Sequence, residues 1–169
     1  MYETRPRLKI LPTRLQWACE VLTIGVLLAL LLYVWQAWPT IPERIPQKFD
    51  LSGQPTRWGG RAGLWLLPSL ALGIYALLSV LQRMPHIYNY PVDLSAEEAP
   101  RLYAIGVSLI IWMKLQAVAL FALLSWRQIE VALDRTTALA VWIVPAVVTL
   151  KLATVAFHVT RMREARRPA

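Results

Sequence analysis

Three ionisable side chains lie inside long apolar runs: Glu20, Lys114 and Lys151. A charge in hydrocarbon is expensive, so each is a functional hypothesis by default. Gln16, Glu20 and Thr23 recur at i, i+4 and i+7, and Lys151, Thr154 and His158 at i, i+3 and i+7. Each set therefore falls on one helical stripe. At about 1.5 Å per residue, Glu20 sits about 8 Å and Lys151 about 13 Å from the same membrane face. The spacing predicts an inner polar cluster in which Glu20 pairs with Lys151, with His158 nearby. Such a cluster can fix helix packing, relay a proton or cation, or line a polar pocket. Snorkelling of Lys151 and His158 to the surface is the remaining alternative. Lys114, about 18 Å deep by the same rise, has no acid at matching depth. It is expected to meet backbone carbonyls, water or a partner subunit.

Other chemistry has little to stand on. His86, His158 and the lone cysteine, Cys19, are scattered without ligand spacing, so neither a metal nor a cofactor is expected. Cys19 reads as a small packing residue, and one cysteine cannot form an intrachain disulfide. No Ser/His/Asp or Cys/His constellation is visible, and Gly53, Gly59 and Gly60 are too sparse for a phosphate loop. The expectation is a protein that is not an enzyme.

The elements that carry these residues follow from hydropathy. Of 169 residues 57% are hydrophobic, against roughly 45–50% in soluble domains. The excess is gathered into four runs of about 20 residues, the length that crosses a hydrocarbon core of about 30 Å. The predicted spans are about 15–38, 63–82, 102–126 and 137–160, joined by an outer loop over 39–62. They form one membrane domain, 15–160, between basic tails at 1–14 and 161–169. Backbone groups cannot stay unpaired in lipid, so the spans must be helices, and the expected class is an all-α integral membrane protein. Pro68 and Pro145 are expected to bend their helices. Ser95 and Glu98 form a Ser-x-x-Glu capping box that starts the third helix near Ala96. The first apolar run is too long for a signal-peptide core, so it reads as a retained anchor.

The net charge is +8, and its placement argues against nucleic acid, since the basic residues cluster at the ends of apolar runs. Arg5, Arg7, Lys9, Arg14, Arg83, Arg101, Arg161, Arg163, Arg166 and Arg167 fall on one side. Arg44, Lys48, Arg57, Arg61, Arg127 and Arg135 fall on the other. Ten against six puts both termini in the cytoplasm. Trp35, Trp38, Trp58, Trp65 and Trp126 gather at the outer boundary, where an apolar ring with one polar N–H is favoured.

The outer loop concentrates Pro, Gly and aromatic residues. Pro42, Pro46 and Pro55 restrict it, Gly53 and Gly59 permit turns, and Phe49 and Trp58 can anchor it at the interface. An ordered outer cap is expected, either a lid on the bundle or a contact surface for an extracellular peptide or a partner membrane protein.

The same loop, Ile41-Pro-x-x-Ile45-Pro46-x-x-Phe49, then Gly53 and Trp58-Gly59, resembles the signature of the domain-of-unknown-function 1648 family. Tyr88-Asn89-Tyr90-Pro91-Val92, followed by Glu97-Glu98, is similar to a second, inner-loop segment of that family. The resemblance implies a bacterial inner-membrane protein, multi-pass in the plasma membrane. It also implies kinship with the N-terminal part of SdpI-type toxin-immunity proteins. The family often has His where Lys48 stands and Asp where Thr56 stands, so no metal or proton role is carried over to these positions. The expected function is immunity, signalling or partner binding through the outer loop. Two alternatives stand beside it: a small proton-coupled transporter using Glu20, and an accessory subunit of a larger membrane complex. The bilayer is the expected partner, with a homo-oligomer left open.

Overall fold

A computed structural model describes residues 5–92, 95, 97–137 and 140–165. Four helices dominate it: α1 (Arg14–Ala37), α2 (Leu66–Gln82), α3 (Ala99–Ala132) and α4 (Ile143–Ala165). With the short 3-10 turns that extend α1 and precede α2, all four are long and apolar enough to cross a membrane.

Local chemistry sets the helix ends. Thr13 caps α1: its hydroxyl accepts from the Gln16 backbone N–H while the Gln16 side chain accepts from the Thr13 N–H. This reciprocal box satisfies two orphan donors. The Ser95–Glu98 contacts are present, but α3 starts at Ala99, not near Ala96, because residues 97 and 98 form a turn first. Ala96 itself lies outside the described residues. At its far end α3 closes in a Schellman motif. Asp134 N–H donates to the Val131 carbonyl and Arg135 N–H to that of Glu130, with Asp134 at φ 55°. Pro68 and Pro145 stand in the first turns of α2 and α4, where the missing donor has no intrahelical acceptor to lose, so neither interrupts a helix interior. The fourth helix starts at Ile143 rather than 137, and it continues through Arg161 and Arg163 to Ala165, so that part of the basic tail is helical. Arg166 and Arg167 lie outside the described residues.

The all-α expectation needs one correction. Within the loop, β1 (Arg44–Phe49) and β2 (Pro55–Gly60) pair antiparallel as a hairpin. Proline is tolerated there because both strands of a two-stranded sheet are edges.

Helix α3 is the hub. Its buried residues run round its circumference, and it packs against α1, α2 and α4. By contrast, α1 buries one stripe, Cys19, Thr23, Leu27, Leu30 and Val34, at helical spacing. Its remaining faces expose Trp17, Val21, Leu28, Leu32 and Trp35. Helix α4 buries only Ile143, His158 and Met162. One core cluster, Leu27, Leu30, Val34, Ile41, Ile45, Leu64, Ala71, Val118 and Ile129, welds the hairpin to one end of the bundle. At the other end Tyr90, Leu102, Tyr103 and Met162 pack with Leu8 and Ile10 of the N-terminal segment.

Candidate functional site

The hairpin cap is anchored at its base and open at its tip. Ile41 and Ile45 are buried in the core, and Gln128 Nε2 of α3 donates to the Pro46 carbonyl at 2.9 Å. At the turn, Asp50 accepts hydrogen bonds from the Ser52 hydroxyl (2.6 Å) and from the Ser52 and Gln54 N–H groups. These bonds, the Ser52 hydroxyl first, hold the Asp50 carboxyl below its ordinary value of 3.8. Gly53 occupies the turn at φ 82°, a conformation that suits glycine. Beyond the base, Leu51 is 98% exposed and Trp58 51% exposed, while Pro42 is exposed and Phe49 half-buried. A bulge at Gln47 shifts the register so that Lys48 stands opposite Arg57. The Gln47 amide donates to the Gly60 carbonyl, and a methyl group on Gly59 or Gly63 would displace it. Arg61 lies over the Trp38 ring, which packs on Trp65, at the foot of the hairpin.

The intramembrane charges pair differently from the expectation. Glu20 meets Lys114, not Lys151: Glu20 Oε1 stands 2.6 Å from Lys114 Nζ. The same ammonium donates to Gln82 Oε1 at 2.8 Å and Ser79 Oγ at 3.1 Å, and lies over the Tyr75 ring. Three oxygens thus face a group with three donors, and Lys114 is only 1% exposed. The depth estimate failed for a structural reason. The first turns of α3 pack beside Leu8 and Ile10, below the start of α1, so depth counted from Leu102 places Lys114 too far from Glu20. Tyr75, Ser79 and Gln82 were missed, although i, i+4 and i+7 put them on one stripe of α2.

Lys151 makes no hydrogen bond or ion pair with any described residue. Helix α4 packs on α3, so its polar residues look there instead. His158 Nδ1 is 2.8 Å from the Thr154 carbonyl and Nε2 3.2 Å from Ser108 Oγ. In the neutral ring Nδ1 therefore carries the proton and Nε2 accepts from Ser108. Gln116 Nε2 donates to Thr154 Oγ1 at 2.7 Å. This short ladder borders a cleft of about 890 Å³ between α1, α3 and α4, lined chiefly by apolar residues such as Leu22, Trp112 and Phe157.

In the inner-loop segment only Tyr90 is buried; Asn89 and Pro91 are exposed. Tyr90 donates to the Pro85 carbonyl and stacks between Tyr88 and Tyr103. Arg5 lies over its ring and donates to the Tyr88 carbonyl at 2.7 Å. Burial pushes Tyr88 up to about 12 and raises Tyr90 as well, so both phenols stay protonated at physiological pH. Among the described residues no three His, Cys, Asp or Glu side chains come together to hold a metal ion.

Residues 24–72 match a family described as Domain of unknown function (DUF1648). The match runs from the middle of α1 through the hairpin into α2, and the inner-loop segment around Tyr90 lies outside it. No curated protein and no solved structure matches the chain.

Proposed function

Because residues 24–72 carry a DUF1648 domain, we propose that this multi-pass membrane protein is a non-enzymatic recognition protein whose hairpin cap contacts a peptide or a partner membrane protein. One observation carries the reading. The cap is fixed to the bundle through Ile41, Ile45 and the Gln128–Pro46 hydrogen bond, yet Leu51 and Trp58 are exposed. A rigid base under exposed apolar and aromatic side chains avoids the entropy cost of ordering a loop on binding, and aromatic anchors dominate binding energy. Immunity against a membrane-active peptide is the activity that fits such a cap.

The setting supports the same reading. Apolar side chains are exposed along α1, α2 and α4, and lipid is the solvent that tolerates them. The basic excess at the tail end supports an orientation with cytoplasmic termini and an outer cap. Against the transporter alternative stands the pairing of Glu20 with Lys114, which engages the carboxylate that it would use. The accessory-subunit alternative keeps one observation: α4 leaves grooves of about 890 and 500 Å³ on its two sides.

The test is survival of a sensitive bacterium expressing the protein under challenge by a panel of membrane-active peptides. Native protein should protect against at least one peptide, and Trp58→Ala at equal membrane abundance should lose that protection at least tenfold. Full protection by Trp58→Ala would remove the cap from the mechanism, and protection against no peptide would remove immunity.

A further inference from the structure

Beneath the cap lies a partly open pocket of about 360 Å³ bordered by the hairpin, α2 and α3. Lys48, Arg57, Phe49, Leu66, Leu124 and Gln128 are among the side chains that line it. Three features define its wall, in which Lys48 and Arg57 are both exposed. First, the bulge at Gln47 puts Lys48 directly opposite Arg57. Like charges in that position oppose strand pairing, and neither cation has a hydrogen bond or ion pair with a described residue. Bulges commonly re-aim side chains at functional sites. The nearest acid in the turn, Asp50, is engaged by Ser52 and Gln54. Second, Gln128 is 6% exposed, and its Oε1 is buried with no partner. Its Nε2 donates to the Pro46 carbonyl, which holds the hairpin wall of the pocket against α3. Third, the pocket straddles two media. Its cations belong to the polar hairpin, while Leu66 and Leu124 belong to helices long and apolar enough to cross a membrane.

We infer that this pocket binds one anionic phospholipid. The phosphate bridges Lys48 and Arg57 and relieves their repulsion. The acyl chains run along Leu66 and Leu124. A soluble phosphate leaves the apolar wall unused. This inference is independent of what the cap recognises. Trp58 neighbours Arg57 on a strand and so points to the opposite face.

Native mass spectrometry of the full chain in mild detergent tests it, with phosphatidylglycerol, phosphatidylcholine or glycerol phosphate added. One phosphatidylglycerol should be retained per protein, at least tenfold more strongly than phosphatidylcholine. The double variant Lys48→Gln with Arg57→Gln should lose that preference. Lys48→Arg should keep it, as should Trp58→Ala and the distant pair Lys9→Gln with Arg14→Gln. Matched melting temperatures confirm that each variant is folded. Equal retention of the two lipids, or an unchanged preference in the double glutamine variant, overturns the proposal. Displacement of the lipid by an equal concentration of glycerol phosphate overturns it too, because the occupant would then be the soluble phosphate.

Discussion

Lys114 shows what one buried charge demands of its neighbours. Its ammonium draws a carboxylate from α1 and two neutral oxygens from α2, so three helices meet at one atom. Breaking such a pair from one side leaves an uncompensated buried charge, which costs about 3–5 kcal/mol, whereas replacing both partners by apolar residues is often neutral. Glu20→Ala should therefore lower thermal stability in detergent sharply, and Glu20→Leu with Lys114→Met should recover most of the loss. A double-mutant cycle between Glu20 and Lys151 should be additive within about 0.5 kcal/mol. Strong coupling to Lys151 and none to Lys114 would refute the pairing. The sequence marked Glu20 and Lys114 as costly residues, but it could not match them, because pairing depends on how far one helix slides past another.

At the scale of the element, the hairpin is set by its turn. Asp50 is held below its ordinary value of 3.8 by hydrogen bonds that its charged form accepts. A carboxylate with a depressed folded pKa stabilises the turn above the unfolded pKa, and that contribution fades as pH falls through the lower, folded value. Hydrogen-exchange protection of the Gly53 and Gln54 amides, corrected for intrinsic rates, should be level from neutral pH to about pH 5. It should then decline below about 3.8. Asp50→Asn should remove that decline; an identical acid profile in the variant would sink the idea. The loop's proline, glycine and aromatic spacing told of an ordered segment. Strand pairing did not follow from it, because Pro46 argues locally against a strand and only its edge position makes pairing acceptable.

For the whole molecule, α3 is a mast that carries the other three helices, and the two ends of the bundle differ. One end holds the hairpin cap, the other the Tyr88–Tyr90–Tyr103 stack and the N-terminal segment. If the basic excess sets orientation, a membrane-impermeant thiol reagent on intact cells should label Leu51→Cys in a Cys19→Ala background. Arg7→Cys should react only after the membrane is opened; the reverse pattern would invert the topology. The count and apolar character of the four helices were legible in the sequence alone, because about 20 apolar residues satisfy their backbone in lipid as a helix, whereas α3 runs from Ala99 to Ala132, past the 102–126 that hydropathy marks. The costly residues were legible for the same reason. Who meets whom was decided only by tertiary structure. Helix α4 leans on α3, which leaves Lys151 unpaired among the described residues and hands His158 to Ser108. Relative depth, rotation and the choice of neighbour belong to the packing of whole helices, and no stripe on one helix records them.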